Sequence, residues 1–152
     1  MKWLDLLRAW TGALVVAIAV AGSVAAADPP AGRQLPIKEL RERTSALIGR
    51  DLILSGVAEA VEPINEGNFE EWRLMSPCVG SYVVTLKDET GSIDVLVKGN
   101  CLLKPPMVNG PWIVKGAKVW MKVAIFVPNL TPFELNPLVR AIAKEFGVLP
   151  SE

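Results

Sequence analysis

Few residues of this chain could do chemistry, and the most informative are its two cysteines, Cys78 and Cys101. The sequence has no histidine and no Cys-x-x-Cys spacing. That argues against a metal centre or a redox pair and leaves a structural disulfide as the expected use of two thiols. A second group, Lys118, Trp120 and Lys122, repeats at two-residue spacing. On a strand these side chains share one face, where an indole between two ammonium groups could stack a base or neutralise an acidic polymer. An outer aromatic of this kind is more often covered by a neighbouring helix or loop. The third group lies in 62–79, where Glu62, Glu66, Glu70 and Glu71 outnumber Arg73 and Phe69, Trp72, Leu74 and Met75 are interspersed. So long a polar connection is a functional candidate. The favoured reading of Phe69 and Trp72 is that they pack it onto its own domain.

Catalysis is not expected. The sequence offers no Ser/His/Asp or Cys/His set, no cluster with metal-ligand spacing and no phosphate-cradling glycine loop. Glu70 and Glu71 point to opposite sides of an extended chain and have a plain explanation as solvated loop residues. A calcium site in 65–68 would rest on one short acidic stretch, and the acceptor pattern at Asn129 to Thr131 is too commonplace to carry weight. A non-enzymatic protein with neither metal nor cofactor is the expectation.

These residues need a scaffold, and its clearest piece is 82–97. Tyr82, Val84 and Leu86 alternate on one strand and Ile93, Val95 and Val97 on the next, the period-2 pattern of half-buried strands. Both sets face one core in the antiparallel register that sets Leu86 opposite Ile93, Val84 opposite Val95 and Tyr82 opposite Val97. The register leaves 88–91 as a turn with Gly91 in its final, left-handed position. Extended outwards, it sets Cys78 opposite Cys101. Closing that loop of about 24 residues would contribute roughly 3 kcal/mol in the chain-entropy model.

Around the hairpin the chain divides simply. Residues 1–27 have Lys2 and Arg8, then an uncharged run, then Ala25, Ala26 and Ala27, the layout of a secretory signal peptide cleaved near Ala27. Cleavage is favoured over an uncleaved anchor, so no stable membrane anchor is expected, and the compartment is periplasmic or extracellular, where disulfides persist. The whole chain carries 16 basic and 16 acidic residues. Without 1–27 the net charge is about −1, which gives no general electrostatic claim on nucleic acid. Residues 28–35, with Pro29, Pro30 and Gly32, read as a flexible linker, and 36–152 as one domain. A helix is expected over 36–46, able to plug one end of a barrel, and a first strand over 51–61 with Gly56 at a bend or bulge. The 100–110 connection is too broken for a helix. Val119, Met121, Val123, Ile125 and Val127 then mark a core-facing strand. Residues 131–135 read as a short last strand, and Asn136 and Pro137 as the start of an amphipathic helix through Leu138, Val139, Ile142, Ala143 and Phe146, stopped at Gly147.

Strand, long loop, hairpin, broken connection, strand and short strand over about 49–135 resemble the OB fold. Gly56 and Val57, the 82–95 run and the opening of the fourth strand at 116–119 carry the resemblance, which is nearest to the anticodon-binding and helicase type of OB domain. It implies a mostly β, five-stranded Greek-key barrel, here with an N-terminal helix and a C-terminal amphipathic helix, of the kind found among exported bacterial OB domains. That family binds single-stranded nucleic acid on the outer face of strands two and three. Here that face would carry Ser81, Val83, Thr85, Lys87, Asp94, Leu96 and Lys98, with no aromatic for a base. OB-barrel haem chaperones attach haem through a histidine, which this chain lacks.

The expected function is therefore an exported, non-enzymatic OB-type binding module. Its ligand would be a protein segment, a saccharide or a small molecule held by the strand 1–2 loop and the hairpin face. The candidate contacts are Phe69, Trp72, Arg73, Thr85, Lys87, Lys98, Lys118, Trp120 and Lys122. Binding of single-stranded nucleic acid is the alternative. The cysteine expectation has a direct check: alkylation of the exported protein without reductant should label neither Cys78 nor Cys101, and two labelled thiols would exclude the pair.

Overall fold

The computed structural model describes residues 28–99, 112–127 and 138–150. The expected 1–27 signal segment, Cys101, the whole of the 100–110 connection, Asn129 and the expected 131–135 strand lie outside them. The hairpin forms as its alternation dictates. β2 (Tyr82–Asp88) and β3 (Gly91–Val97) pair antiparallel with Tyr82 opposite Val97, Val84 opposite Val95 and Leu86 opposite Ile93. β1 (Asp51–Pro63) is long enough to serve two neighbours, pairing with β4 (Lys118–Phe126) through its first half and with β2 through its second. β5 (Arg140–Val148) runs antiparallel to β4 and parallel to β3, closing a barrel in the order β1-β2-β3-β5-β4. Leu54, Val84, Leu86, Ile93, Val95, Val119, Met121, Val123, Ala141 and Ala143 fill the interior. Closure removes the open sheet edges that would otherwise invite pairing with another chain.

Val57 is the point where β1 passes from one neighbour to the other, facing Lys118 on β4 and Lys87 on β2. The strand next to it must lie close to β2. A Cβ on Gly56 would sit 2.3 Å from the Lys87 carbonyl oxygen, so close backbone approach is what requires glycine there. The expected bulge lies three residues further on, where pairing skips Glu59 between Ala58 and Ala60.

The C-terminal amphipathic helix is not formed, because its residues make β5. Pairing with β4 skips Lys144, with Glu145 opposite Lys122 and Ala143 opposite Val123. The extra residue reverses the side-chain parity along the strand. Inward positions run Ala141, Ala143, then Phe146 and Val148, and this broken alternation imitates helical spacing in the sequence. The barrel therefore extends to Val148, past the expected limit near 135. Residues 28–35 are also not free along their length, since Gln34 bridges to Ile53 and the Leu35 amide donates to the Ile53 carbonyl at 2.9 Å.

The N-terminal helix divides into α1 (Ile37–Glu42) and α2 (Thr44–Leu47), which bring Ile37, Leu40 and Leu47 into the barrel core. Pro36, at the N-cap of α1, gives no side-chain cap. The hairpin turn supplies one instead. Asp88 Oδ2 accepts the Ile37 amide at 2.8 Å, and Thr90 Oγ1 accepts the Lys38 amide at 3.0 Å. The other oxygen, Asp88 Oδ1, accepts from the amides of Thr90 at 2.7 Å and Gly91 at 2.9 Å and from the Thr90 hydroxyl at 2.6 Å. Gly91 does not adopt the expected left-handed conformation, and the turn is closed by this carboxylate rather than by a glycine.

Desolvation pushes the Asp88 carboxyl up, but the hydrogen bonds from Thr90, Ile37 and Gly91 outweigh it and hold the group below the usual aspartate range. A depressed folded-state value gives stability that is complete above the unfolded pKa, near 4, and is lost as pH falls through the folded one. Urea midpoints measured downward from about pH 4 should fall more steeply for the wild type than for Asp88→Asn. Parallel curves would assign the acid sensitivity to other groups.

Candidate functional site

The 62–79 connection is structured. Ile64 donates its amide to the Ser81 carbonyl at 3.0 Å, carrying the chain off the end of β1. Asn65 and Asn68 then build a self-contained turn. Asn68 Oδ1 accepts the Asn65 amide and Asn65 Oδ1 accepts the Gly67 amide, both at 2.8 Å, and the Asn65 carbonyl accepts the Phe69 amide at 2.9 Å. These side-chain oxygens hold backbone amides, the plain use of the stretch that might have ligated calcium. α3 (Phe69–Trp72) and a 3-10 turn (Arg73–Met75) follow, ending at Ser76, which takes a left-handed φ of 50°.

The spacing of Trp72 and Met75 puts both on the inner side of this short helical run. They pack on Val83 and Leu96, with Ile64, Phe126 and Ile142 around them, as a second apolar cluster outside the barrel. The outer face of the hairpin is thus covered by the loop. Arg140, at the start of β5, lies under the same segment. Its guanidinium carbon is 4.1 Å from the centre of the Trp72 ring, and it donates to the Glu71 carbonyl at 2.6 Å and to the Glu71 carboxylate. In the amphipathic helix expected over this stretch, Arg140 would fall on the polar face. The bulge at Lys144 hides the strand alternation that would have shown it facing outward beside Ile142.

The same loop leaves apolar surface in water on its other side. Phe69 is 41% exposed, Leu74 60% and Val79 83%. Ile64, Phe69, Pro77 and Val79, together with Asn65 and Glu66, line a groove of about 370 Å³ between the start of α3 and the approach to β2. Ile64, Pro77 and Val79 were not among the expected contacts, since nothing in a polar connection marks which apolar residues remain outside.

The other expected contacts do not join this groove. Trp72 is buried, and Arg73 pairs with Glu70 at 3.3 Å on the exposed side of the loop. Thr85 donates to Asp94 across the hairpin at 2.8 Å, and Lys87 pairs with Glu59 at 2.7 Å. Lys98 follows the end of β3, half-buried. Lys118, Trp120 and Lys122 lie on β4, which β1 and β5 separate from the hairpin. Lys87 and Lys118 both face Val57 from neighbouring strands and border a cleft of about 490 Å³ also lined by Gly56, Val57 and Leu149. Trp120 is only 6% exposed and offers no open stacking face. Lys122 lies between Glu145 at 3.5 Å and Asp51 at 3.8 Å, and Lys144 also bonds Asp51. The hydrogen bond from Lys144 outweighs desolvation and holds the Asp51 carboxyl below its ordinary range.

No family model matches the chain, and no curated protein matches it. Solved structures do. A protein of Leishmania major Friedlin assigned as an aspartyl-tRNA synthetase aligns over 83% of this chain with a TM-score of 0.53 at 9% identity. The OBody AM3L09, solved bound to hen egg-white lysozyme, aligns over 82% of this chain and 100% of its own, with a TM-score of 0.48 at 12% identity. The present chain spans 22% of the length of the synthetase. At this identity the likeness concerns the fold, a five-stranded closed barrel consistent with an OB-like domain.

Trp120→Ala should cost about 3–5 kcal/mol in urea unfolding, the loss of a large buried ring. A cost below about 1 kcal/mol would return the indole to the surface and reopen a stacking role.

Proposed function

We propose that this chain is an exported OB-type binding module that recognises an extended apolar segment of another protein in the groove of the strand 1–2 loop. The observation that carries the reading is the exposure of Phe69 and Val79 in a groove that Ile64 and Pro77 also line. Apolar walls with a few polar groups suit a short peptide better than a saccharide or a charged polymer. The nucleic-acid alternative has less support. The hairpin face that would stack bases lies beneath Trp72 and Met75, and the indole of β4 is buried.

Export and the cysteine pair belong to the same reading. Ser81 supports the pairing, because its hydroxyl accepts the amides of both Cys78 at 2.8 Å and Gly99 at 2.9 Å. Gly99 also lies so close to 79–81 that a Cβ there would fall 2.0 Å from the Val79 carbonyl oxygen. Gly99, two residues before Cys101, is thereby held close to the 78–81 segment. A bridge at this place would fix the Pro77 and Val79 side of the groove.

Selection of displayed linear peptides on the purified domain tests the function. Enriched peptides should be apolar, and Phe69→Ser and Val79→Ser should each weaken them about tenfold, while Trp112→Ser, a change at an exposed ring elsewhere, leaves them unaffected. No enrichment, or equal affinity for all three variants, would overturn the proposal.

A further inference from the structure

The segment over the hairpin is joined to the start of β5 by a polar contact, Arg140 to Glu71. Among the described residues Arg140 is the one charged residue that is buried, at 3% exposure, and its Nε has no partner. Its counter-ion, Glu71, is 60% exposed. Beneath α3 remains a hollow of about 190 Å³ lined by Glu62, Asn68, Glu71, Thr85 and Asp94, beside the Trp72 contact with Val83. The segment meets the barrel through Trp72 and Met75 and through the bonds of Arg140 to Glu71, with this hollow beside them.

We propose that 69–75 is a latched cover that lifts from the outer face of β2 and β3 while the barrel stays folded, with Arg140 and Glu71 as the latch. Lifting bares Val83, Thr85 and Leu96, a face that is otherwise occupied by the protein's own loop. An ion pair with one partner in water is weakened by salt, and an unpaired buried N–H subtracts from the stability of the closed form. The strands are tied by continuous ladders and the cover is not, so the cover falls at the low end of local opening free energies. Phe69 belongs to both this segment and the groove, but lifting can be read without any ligand bound.

Trypsin cleavage after Arg73 in the full-length protein reads the open state, because a protease needs the 3-10 turn unwound. Where reclosing outpaces cleavage, the rate follows the open population. The fragment ending at Arg73 should appear well below the temperature at which the barrel melts, and faster in high salt after normalising to an unfolded peptide of the same sequence. Glu71→Gln should raise the rate about fivefold, the effect of weakening one charge-assisted bond, and Lys87→Gln, at a pair outside the latch, should leave it unchanged. Cleavage that appears only as the barrel melts would overturn the cover. An unchanged rate in Glu71→Gln would overturn the latch.

Discussion

The carboxylate of Asp88 joins two parts of the chain that could not hold their conformations separately. One oxygen gathers the amides of the hairpin turn and the other accepts the first amide of α1, 51 residues away in sequence. A helix of six residues is far too short to persist alone in water, and Pro36 provides no acceptor for its orphan amides. The hairpin therefore makes the helix possible. Arg41 adds to the connection by donating to the Ser92 carbonyl at 2.6 Å. In return α1 and α2 deliver Ile37, Leu40 and Leu47 to the core, apolar area that a small barrel needs at its open end.

What could be read from the sequence follows the bulges. β2 and β3 have none, so alternation gave the pairing of all their facing residues. β4 is also regular, and its inward set appeared as expected, with Val127 packed at its edge. β5 gains one residue at Lys144, and a single parity change inside nine residues was enough to make a strand look like a helix. β1 has its own bulge at Glu59, but Leu52 and Leu54 precede it, and that regular stretch was long enough to identify a strand. Bulges are properties of pairing with a partner, so one strand's sequence does not declare them. For the same reason Gly56 suggested a bulge when its actual constraint comes from the carbonyl of Lys87 on another strand.

The candidate site was legible only in outline. The 62–79 loop stood out by length and by its aromatics, and Trp72 packs as expected. The two aromatics nonetheless part company, with Trp72 turned to the barrel and Phe69 left at the groove. Helical spacing explains the first, since Met75 lies three residues on and shares its side. The second depends on where Pro77 and Val79 return, a tertiary fact. Lys118, Trp120 and Lys122 show the limit of spacing, which places side chains on one face and says nothing about whether that face is open; Trp120 is covered, the reading favoured for an outer aromatic.

Arg140 raises a question of design. At a buried position against Trp72, an aliphatic side chain would pack without a desolvation cost, and replacing buried ion pairs by apolar groups is commonly neutral or stabilising. A guanidinium there holds the cover by directional bonds to Glu71, including one to the main-chain carbonyl, which fixes the register of α3 on the hairpin as apolar contact alone would not. It also makes closure depend on a carboxylate that water and salt can reach. The arrangement favours one defined seating of the loop over the tightest possible one, with polar side chains lining the hollow beside Trp72.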